Sequence, residues 1–425
     1  MNEFNKNRSG YKKTEIGWIP DDWGLETFKD LFYRVREPVK VEPKTVYQEI
    51  GIRSHGKGIF HKTPIYGFEL GKKSVFWVKN NALIFNIVFA WEQAVAITSK
   101  TESGLIASHR FPMYKGKNSH IDIKFVRLFF LSKRGKHLLG IASPGGAGRN
   151  KTLGKGELKH LLIPIPSIIE QKKISQILYT WDKAINHTHK IIAAKKKHKK
   201  ALMQQLFSGK KRLFGLGNTK NVDDPYPNDW PVVKMRDLFK PIKRKNINNC
   251  KKILSASGRH GLIDQGSYFN RSVAGAFLQN YYLIKKGEFA YNRSAMREFP
   301  YGAIKRLDKY DEGILSTLYI CFSLNDGESD IDFYKYFFDS NILDKELSSV
   351  IQIGARNHGL LNISLNDFYN IPIPKPPQKE QVAIAGIIAA SEKEIIKSEE
   401  KLKVLRKQKR GLMQKLLTGE VRVTP

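Results

Sequence analysis

Cysteine is scarce in this 425-residue chain, which has two, Cys250 and Cys321, far apart. Two isolated thiols exclude a disulfide framework and a cysteine-based zinc cluster. Acidic residues are also few: 40 Asp plus Glu stand against 73 Lys plus Arg, a net charge of +33. Such an excess repels itself unless a polyanion neutralises it, which points to DNA or RNA as partner. Long apolar runs are missing too. The most apolar window, "LIFNIVFAWEQAVAI" (83–97), contains Asn86, Glu92 and Gln93 and is too short to span a bilayer. The opening "MNEFNKNRSGYKK" carries no apolar stretch of a secretory signal. A soluble, cytoplasmic protein is expected, with chain enough for two or three domains.

Signatures of chemistry are equally sparse. The segment "SPGGAGRNKT" (143–152) approaches the phosphate-loop pattern G-x-x-x-x-G-K-[ST]. However, Asn150 stands where the last glycine must let a β-phosphate approach the backbone. No G-x-G-x-x-G is associated with a strand-like run. "DDPY" (223–226) resembles the Asp-Pro-Pro-Tyr motif of adenine methyltransferases, but Asp224 replaces its first proline and the segment sits in a polar linker. His187 and His189, two apart on a helical pattern, point about 200° apart and cannot share a metal as an i, i+4 pair would. No carboxylate cluster followed by lysine suggests a nuclease. The expectation is a binder with no catalytic residue, no metal and no cofactor.

What the chain does have is itself, twice. "IPDDWGLETFKDLF" (19–32) returns as "YPNDWPVVKMRDLF" (226–239), "LLIPIPSIIEQ" (161–171) as "YNIPIPKPPQKEQ" (369–381), and "ALMQQLFSGKKRL" (201–213) as "GLMQKLLTGEVRV" (411–423). The offset is 207 to 210 residues each time, so the chain is a tandem duplication. Each copy runs from a Trp-containing turn through strand-rich sequence to an Ile-Pro-Ile-Pro punctuation. A long helix then begins near Glu170 or Glu380.

Both helices alternate apolar residues by four and three. The first seam is Ile174, Leu178, Trp181, Ile185, Thr188, Ile192, Lys195, Lys199, Leu202 and Leu206. The second is Ile384, Ile388, Ser391, Ile395, Ser398, Leu402, Leu405, Lys409, Leu412 and Leu416. Seams sustained over so many heptads predict a coiled-coil pair. One helix leads from the first globular part to the second and the other leads back, so the pair should be antiparallel, within a pseudo-twofold dumbbell. Lys195 and Lys199 fall in the seam, where the helical end is expected to splay or to face a partner. The run "KKKHKK" (195–200) reads as a solvated face or as a track beside a DNA backbone.

The repeat also reinterprets the glycine loop. "GGAGRNKT" occupies the place of "IQIGARNHGLLN" (351–362), so Arg149-Asn150 matches Arg356-Asn357, with Lys151 following in the first copy alone. Glycine backbone, guanidinium and amide together suit DNA phosphates or base edges. Within the globular parts, "IRSHGKG" (52–58) parallels "SGRHGLID" (257–264), giving Arg53, His55, Lys57, Arg259 and His260 as candidates. "LIFN" ending at Asn86 parallels "FAYN" ending at Asn292, with Arg293 and Arg297 following. His-Gly and Asn also suit turns needing positive φ, and for the glycines both readings stand open. Tyr268, Tyr281, Tyr291 and Tyr301 lie among these cations, where they also fit as strand residues.

Taken together, "TEIGWIPDDW", "IPIPSIIEQKKISQIL", "ALMQQLFSGKKRL", "IPIPKPPQKEQVAIAGIIA" and "GLMQKLLTGEVRV", in duplicated order over nearly the whole chain, resemble the specificity subunits of type I restriction-modification systems. The first copy departs from the usual Pro-Pro before Glu-Gln, having "PSIIEQ". The resemblance implies an α+β fold with two strand-rich target-recognition domains, each reading half of a split double-stranded DNA target, separated by two long antiparallel coiled-coil helices. The domains would be 1–166 and 225–376, with helical regions at 167–213 and 377–425 and a linker at 214–224. It further implies two methyltransferase subunits carrying S-adenosylmethionine, and restriction subunits that translocate DNA, so catalysis belongs to partner chains. The alternatives are a nuclease or methyltransferase with a degenerate site, and an architectural DNA-binding protein.

Overall fold

The structure is a computed structural model, and it describes residues 9–146, 151–214, 226–247, 249–258, 260–266, 278–296, 298–351 and 361–423. The chain forms two compact units. The first comprises Met1–His189 with Lys401–Pro425, and the second is Lys190–Glu400. The fold class is α+β, with two strand-rich parts and two long helices.

The duplication is visible in the sheets. In the first unit a four-stranded antiparallel sheet runs in the order Val95–Ile97, Leu83–Phe85, Met113–Gly116, Phe32–Val35. In the second unit Ala303–Arg306, Phe289–Asn292, Tyr319–Leu324 and Phe239–Pro241 repeat that order. Alternation of apolar residues buries one face of each sheet under a nine-residue helix, Ile123–Leu131 or Ile331–Asp339. Phe28, Phe85, Phe125 and Phe129 fill the first core, and Phe239, Phe289, Phe333 and Phe337 the second.

The Ile-Pro-Ile-Pro segments form short strands. Leu162–Ile165 pairs with Gly24–Thr27, and Pro372–Pro374 with Val232–Lys234. Two-stranded ribbons of this kind tolerate proline because no neighbour needs its missing N–H. Beyond them the chain turns into helices of 40 residues each, Ile168–Phe207 and Gln378–Leu417. At 1.5 Å per residue, each is about 60 Å long.

Along both helices the heptad positions turn away from water. Ile174, Leu178, Thr188, Ile192, Leu202 and Leu206 are buried, as are Ile384, Ile388, Ile395, Leu402 and Leu416. Trp181, Ile185, Leu405 and Leu412 are half-buried. Within each unit the two helical segments run antiparallel. In the first, Asp182 accepts a 2.6 Å hydrogen bond from Lys409, and Arg406 Nη2 lies 2.5 Å from His189 Nε2. In the second, Lys199 bonds Glu392 at 2.8 Å while Lys195 reaches Glu394 at 3.2 Å and Ser398 at 3.3 Å. The seam lysines therefore do not splay the helix. Carboxylates on the facing helix neutralise them, and Lys199–Glu392 and Lys409–Asp182 are one interaction written twice, 210 residues apart.

A second duplicated contact fixes where each helix meets its unit. Glu380 accepts from the Trp230 indole at 2.9 Å and from Arg212 Nε at 3.0 Å, and Arg212 also forks onto Asp229 at 2.7 Å. In the first unit Glu170 accepts from Trp23 at 3.2 Å and from Arg422 Nε at 2.9 Å, with Arg422 forked onto Asp22. The neighbouring glutamine completes the joint. Gln171 Oε1 accepts the Asp122 N–H and its amide donates to the His120 and Pro166 carbonyls; Gln381 does the same with Asp330 and Pro376. Both glutamines are fully buried, so these bonds satisfy amides that have no water to turn to. Gly209 and Gly419 close the arrangement with φ near +66° and +72°, packed so that a Cβ would strike the rings of Pro227 and Pro20.

Candidate nucleic-acid interface

The candidate residues of the first unit gather at a hairpin. Ile50–Ile52 pairs with Ile59–His61, and the connecting turn Arg53–Gly58 requires positive φ at His55, Gly56 and Gly58. Its tip is pinned. His55 N–H donates to the Glu92 carbonyl at 2.7 Å, Gly56 N–H to the Gln93 carbonyl at 3.0 Å, and Ser54 Oγ to Glu92 at 2.7 Å. With the backbone held, the side chains of Arg53, His55 and Lys57 stay exposed, the Arg53 guanidinium 4.8 Å above the Phe60 ring. They rim a shallow cavity of about 460 Å³ whose floor includes Phe60, Phe89 and Phe111. Cations over aromatic faces suit a nucleic-acid strand.

Asn86 sits at the base of this cavity and is used internally: Oδ1 accepts the Val88 N–H, and Nδ2 donates to the Ile52 carbonyl at 3.5 Å. Lys151 lies 5.6 Å above the Trp91 ring, beside Lys133, Lys136 and His137 in a second basic concavity of about 500 Å³. Arg149 and Asn150, which precede it, fall outside the described residues.

The second unit repeats the hairpin with Leu254–Ser257 and Gly261–Asp264. His260 is exposed at its turn, its N–H donating to Ser257 Oγ at 3.3 Å, and Gly261 adopts φ +68°. Asn292 ends a strand. Arg293 is half-buried, with Nε donating to the Leu318 carbonyl at 2.7 Å and its own carbonyl accepting from Leu361. Arg259, Arg297, Arg356 and Asn357 lie outside the described residues, as does Tyr268.

The lysine run divides. Lys196 bonds Glu399 at 2.6 Å and, with Lys195 and Lys199, is matched by its own chain; Lys197, His198 and Lys200 are exposed. Residue-by-residue reading missed the Trp–Glu–Arg–Asp contact and the buried glutamines. Their signal was available, because Trp23/Trp230, Glu170-Gln171/Glu380-Gln381 and Arg212/Arg422 recur inside the very segments that define the repeat.

Glu392 gives the helix pair an acid limit. Burial works to raise its pKa, but the Lys199 hydrogen bond and the charges of Lys199 and Lys335 outweigh it and hold the carboxyl below 4.5. A carboxylate depressed on folding stabilises above its unfolded pKa, and that contribution fades as pH falls through the depressed folded value. The melting temperature should therefore drop more steeply below pH 4.5 in the native protein than in Lys199→Met. Parallel acid profiles in thermal melts would show that the pair contributes nothing.

Residues 21–196 match the family described as the type I restriction modification DNA specificity domain. A protein described as the MjaX type I restriction enzyme specificity subunit of Methanocaldococcus jannaschii is 26% identical, the alignment covering 99% of this chain and 98% of that protein. Over nearly its whole length the chain is similar to a type I restriction enzyme specificity subunit. The MjaVIII specificity subunit of the same organism is 30% identical over 62% of this chain and 63% of its own length. The fold agrees with solved specificity subunits. The HsdS subunit from Thermoanaerobacter tengcongensis superposes with a TM-score of 0.51 at 15% identity, covering 95% of this chain and 98% of that one. A chain from a study of type I restriction-modification complex assembly gives 0.57 at 14% identity, covering 95% and 99%. Among the described residues, no helix is long and apolar enough to cross a membrane, and no three His, Cys, Asp or Glu side chains group as metal ligands.

Proposed function

We propose that this chain is a specificity subunit, the non-catalytic, sequence-reading component of a cytoplasmic type I restriction-modification complex. Each strand-rich part reads one half of a split double-stranded DNA target. The paired helices set the spacing between the halves and dock two methyltransferase subunits, to which restriction and translocation subunits add. The observation that carries this reading is the repetition of the same basic hairpin, at the same place in the same sheet framework, in two units whose loop residues differ. A shared frame with divergent loops is what independent reading of two half-sites requires. Net charge of +33 supplies the sequence-independent attraction to phosphate.

The test uses the subunit coexpressed with its methyltransferase partners, with methylated sites mapped across a genome. Arg53→Ala should relax or weaken one half-site only, by about 1–3 kcal/mol if the guanidinium touches a base, and Arg293→Ala should act on the other half alone. Equal relaxation of both halves by either variant contradicts the assignment. The purified chain should transfer no label from S-adenosylmethionine to target DNA; transfer without partners would restore the enzyme reading.

A further inference from the structure

The first unit contains a cleft of about 770 Å³, within the size range of small-ligand sites. It opens between the hairpin at Gly58 and Ile59, the segment after Val95–Ile97, the helix Ile123–Leu131 and the early turns of the first long helix. Lys100, Lys124 and Arg127 line it, and among the described residues none of the three forms an ion pair. The bond that holds Arg127 is a single donation from Nη2 to the Gly56 carbonyl at 3.2 Å. Of the two carboxylates in the lining, Glu102 bonds Ser99 and His61, while Asp182 bonds Lys409 and its charge also acts on Arg127. Ser175 adds an independent sign. It is 4% exposed, it lines the cleft, and its Oγ has no hydrogen-bond partner.

The second unit shows what belongs in such a place. Sheet register aligns Ser99 with Asp308, and the helix caps Asp122 and Asp330 align Lys124 with Asp332 and Arg127 with Lys335. There Asp308 accepts from Arg306 at 2.5 Å and from Lys335 at 3.0 Å, while Asp332 accepts from Arg306 at 2.7 Å. The second unit thus closes the position with two of its own carboxylates. The first unit has Ser99 and Lys124 in place of the two carboxylates, Ile97 in place of Arg306 and Arg127 in place of Lys335. The lining carries three positive side chains against two carboxylates, beside an apolar wall.

We propose that this cleft binds a small oxyanion ligand, its phosphate or carboxylate held by Arg127 and Lys124 and its ring-sized body lying against Ile59, Ile97 and Tyr179. Arginine's planar fork matches either oxyanion in a bidentate manner, and Ser175 supplies a hydroxyl donor at the floor. The site goes beyond the reading of DNA and, among the described residues, has no counterpart in the second unit, which gives a stoichiometry of one per chain.

Calorimetric titration of the full chain with AMP, pyrophosphate and citrate tests this, the first two as phosphate sources and the third as a carboxylate source. At least one probe should bind once per chain at millimolar concentration or below. The graft Ser99→Asp/Lys124→Asp installs the second unit's carboxylates; it should weaken binding at least about tenfold while leaving the melting temperature unchanged or higher. Lys124→Glu, at an exposed side chain, should alone cause a several-fold loss and covers the case of a graft that misfolds. No binding of any probe overturns the proposal, as does undiminished affinity in a folded Lys124→Glu variant. Displacement of the probe by duplex DNA, with the same sensitivity to both variants, would assign these residues to the DNA interface instead and equally overturn it.

Discussion

Arg212→Ala is expected to cost the second unit about 3–5 kcal/mol, the usual penalty for stripping the partner from a buried charge. Glu380 is 3% exposed and the Arg212 side chain 9%, so no solvent replaces the guanidinium that forks onto the carboxylate. The Trp230 indole would remain as a lone donor at 2.9 Å, too little to stabilise a full negative charge. Arg422→Ala, the same change in the first unit, should cost less. Its side chain is 41% exposed, and water reaches the gap it leaves beside Glu170. Hydrogen exchange resolves the two, because Arg212→Ala should loosen amides at 201–213 and 378–388 and Arg422→Ala those at 168–178 and 411–423. Equal, small losses in both variants would mean that apolar packing at Leu206, Phe207 and Leu416 fixes the helix ends without the ion pairs. The double change Arg212→Met/Glu380→Gln should recover part of the loss, since it removes the stranded charge along with its partner.

Seven residues inserted after Lys190 and again after Glu400, equivalent points 210 apart, should lengthen the recognised spacer and leave both half-sites as they were. A heptad adds about 10 Å at 1.5 Å per residue, which corresponds to roughly three base pairs at 3.4 Å. It also keeps the seam aligned within about 20° per helix, so Ile192 and Leu402 should stay buried. Three base pairs rotate B-DNA by roughly a quarter turn or slightly more, so weaker binding should accompany the longer spacer. Methylome sequencing of cells carrying the double insertion with the partner subunits reads both quantities. An unchanged spacer with full methylation would remove the helices from any length-setting role. Changed half-sites would mean that helix residues themselves read bases.

The sequence was most legible where it repeats. Trp23 with Trp230, the Ile-Pro-Ile-Pro pairs and the heptad positions show the duplication and the two long helices, because periodicity and recurrence survive without knowledge of contacts. It was least legible in the loops. Asn86 and Arg293 were singled out by residue type, yet each spends hydrogen-bonding capacity on its own backbone surroundings. Nothing local distinguishes an amide that braces a turn from one that meets a base; the difference lies in which strand passes within 3.5 Å. Lys195 and Lys199 mislead for the same reason, since the glutamates that neutralise them lie about 200 residues away on the other helix. The cleft at Arg127 was also beyond reach. Its meaning comes from comparing Lys124 with Asp332, and that alignment depends on two helix caps rather than on sequence similarity.

The first unit is assembled from two segments separated in the chain, whereas the second is contiguous. Residues 190–400 can fold as they leave the ribosome, but the first unit must wait for Leu416, Leu417 and Arg422, which pack into it from beyond Lys401. At about 5–20 residues per second, the 211 residues of Lys190–Glu400 take roughly 10–40 s to synthesise. Through that interval Ile174 and Leu178 stand beside a gap shaped for a segment that does not yet exist. The same segment of a chain on an adjacent ribosome of the same messenger carries identical side chains and fits the same gap, so dense polysomes favour exchange of the 401–425 segment between sister chains. Slow initiation, which spaces the ribosomes apart, favours the segment closing on its own chain.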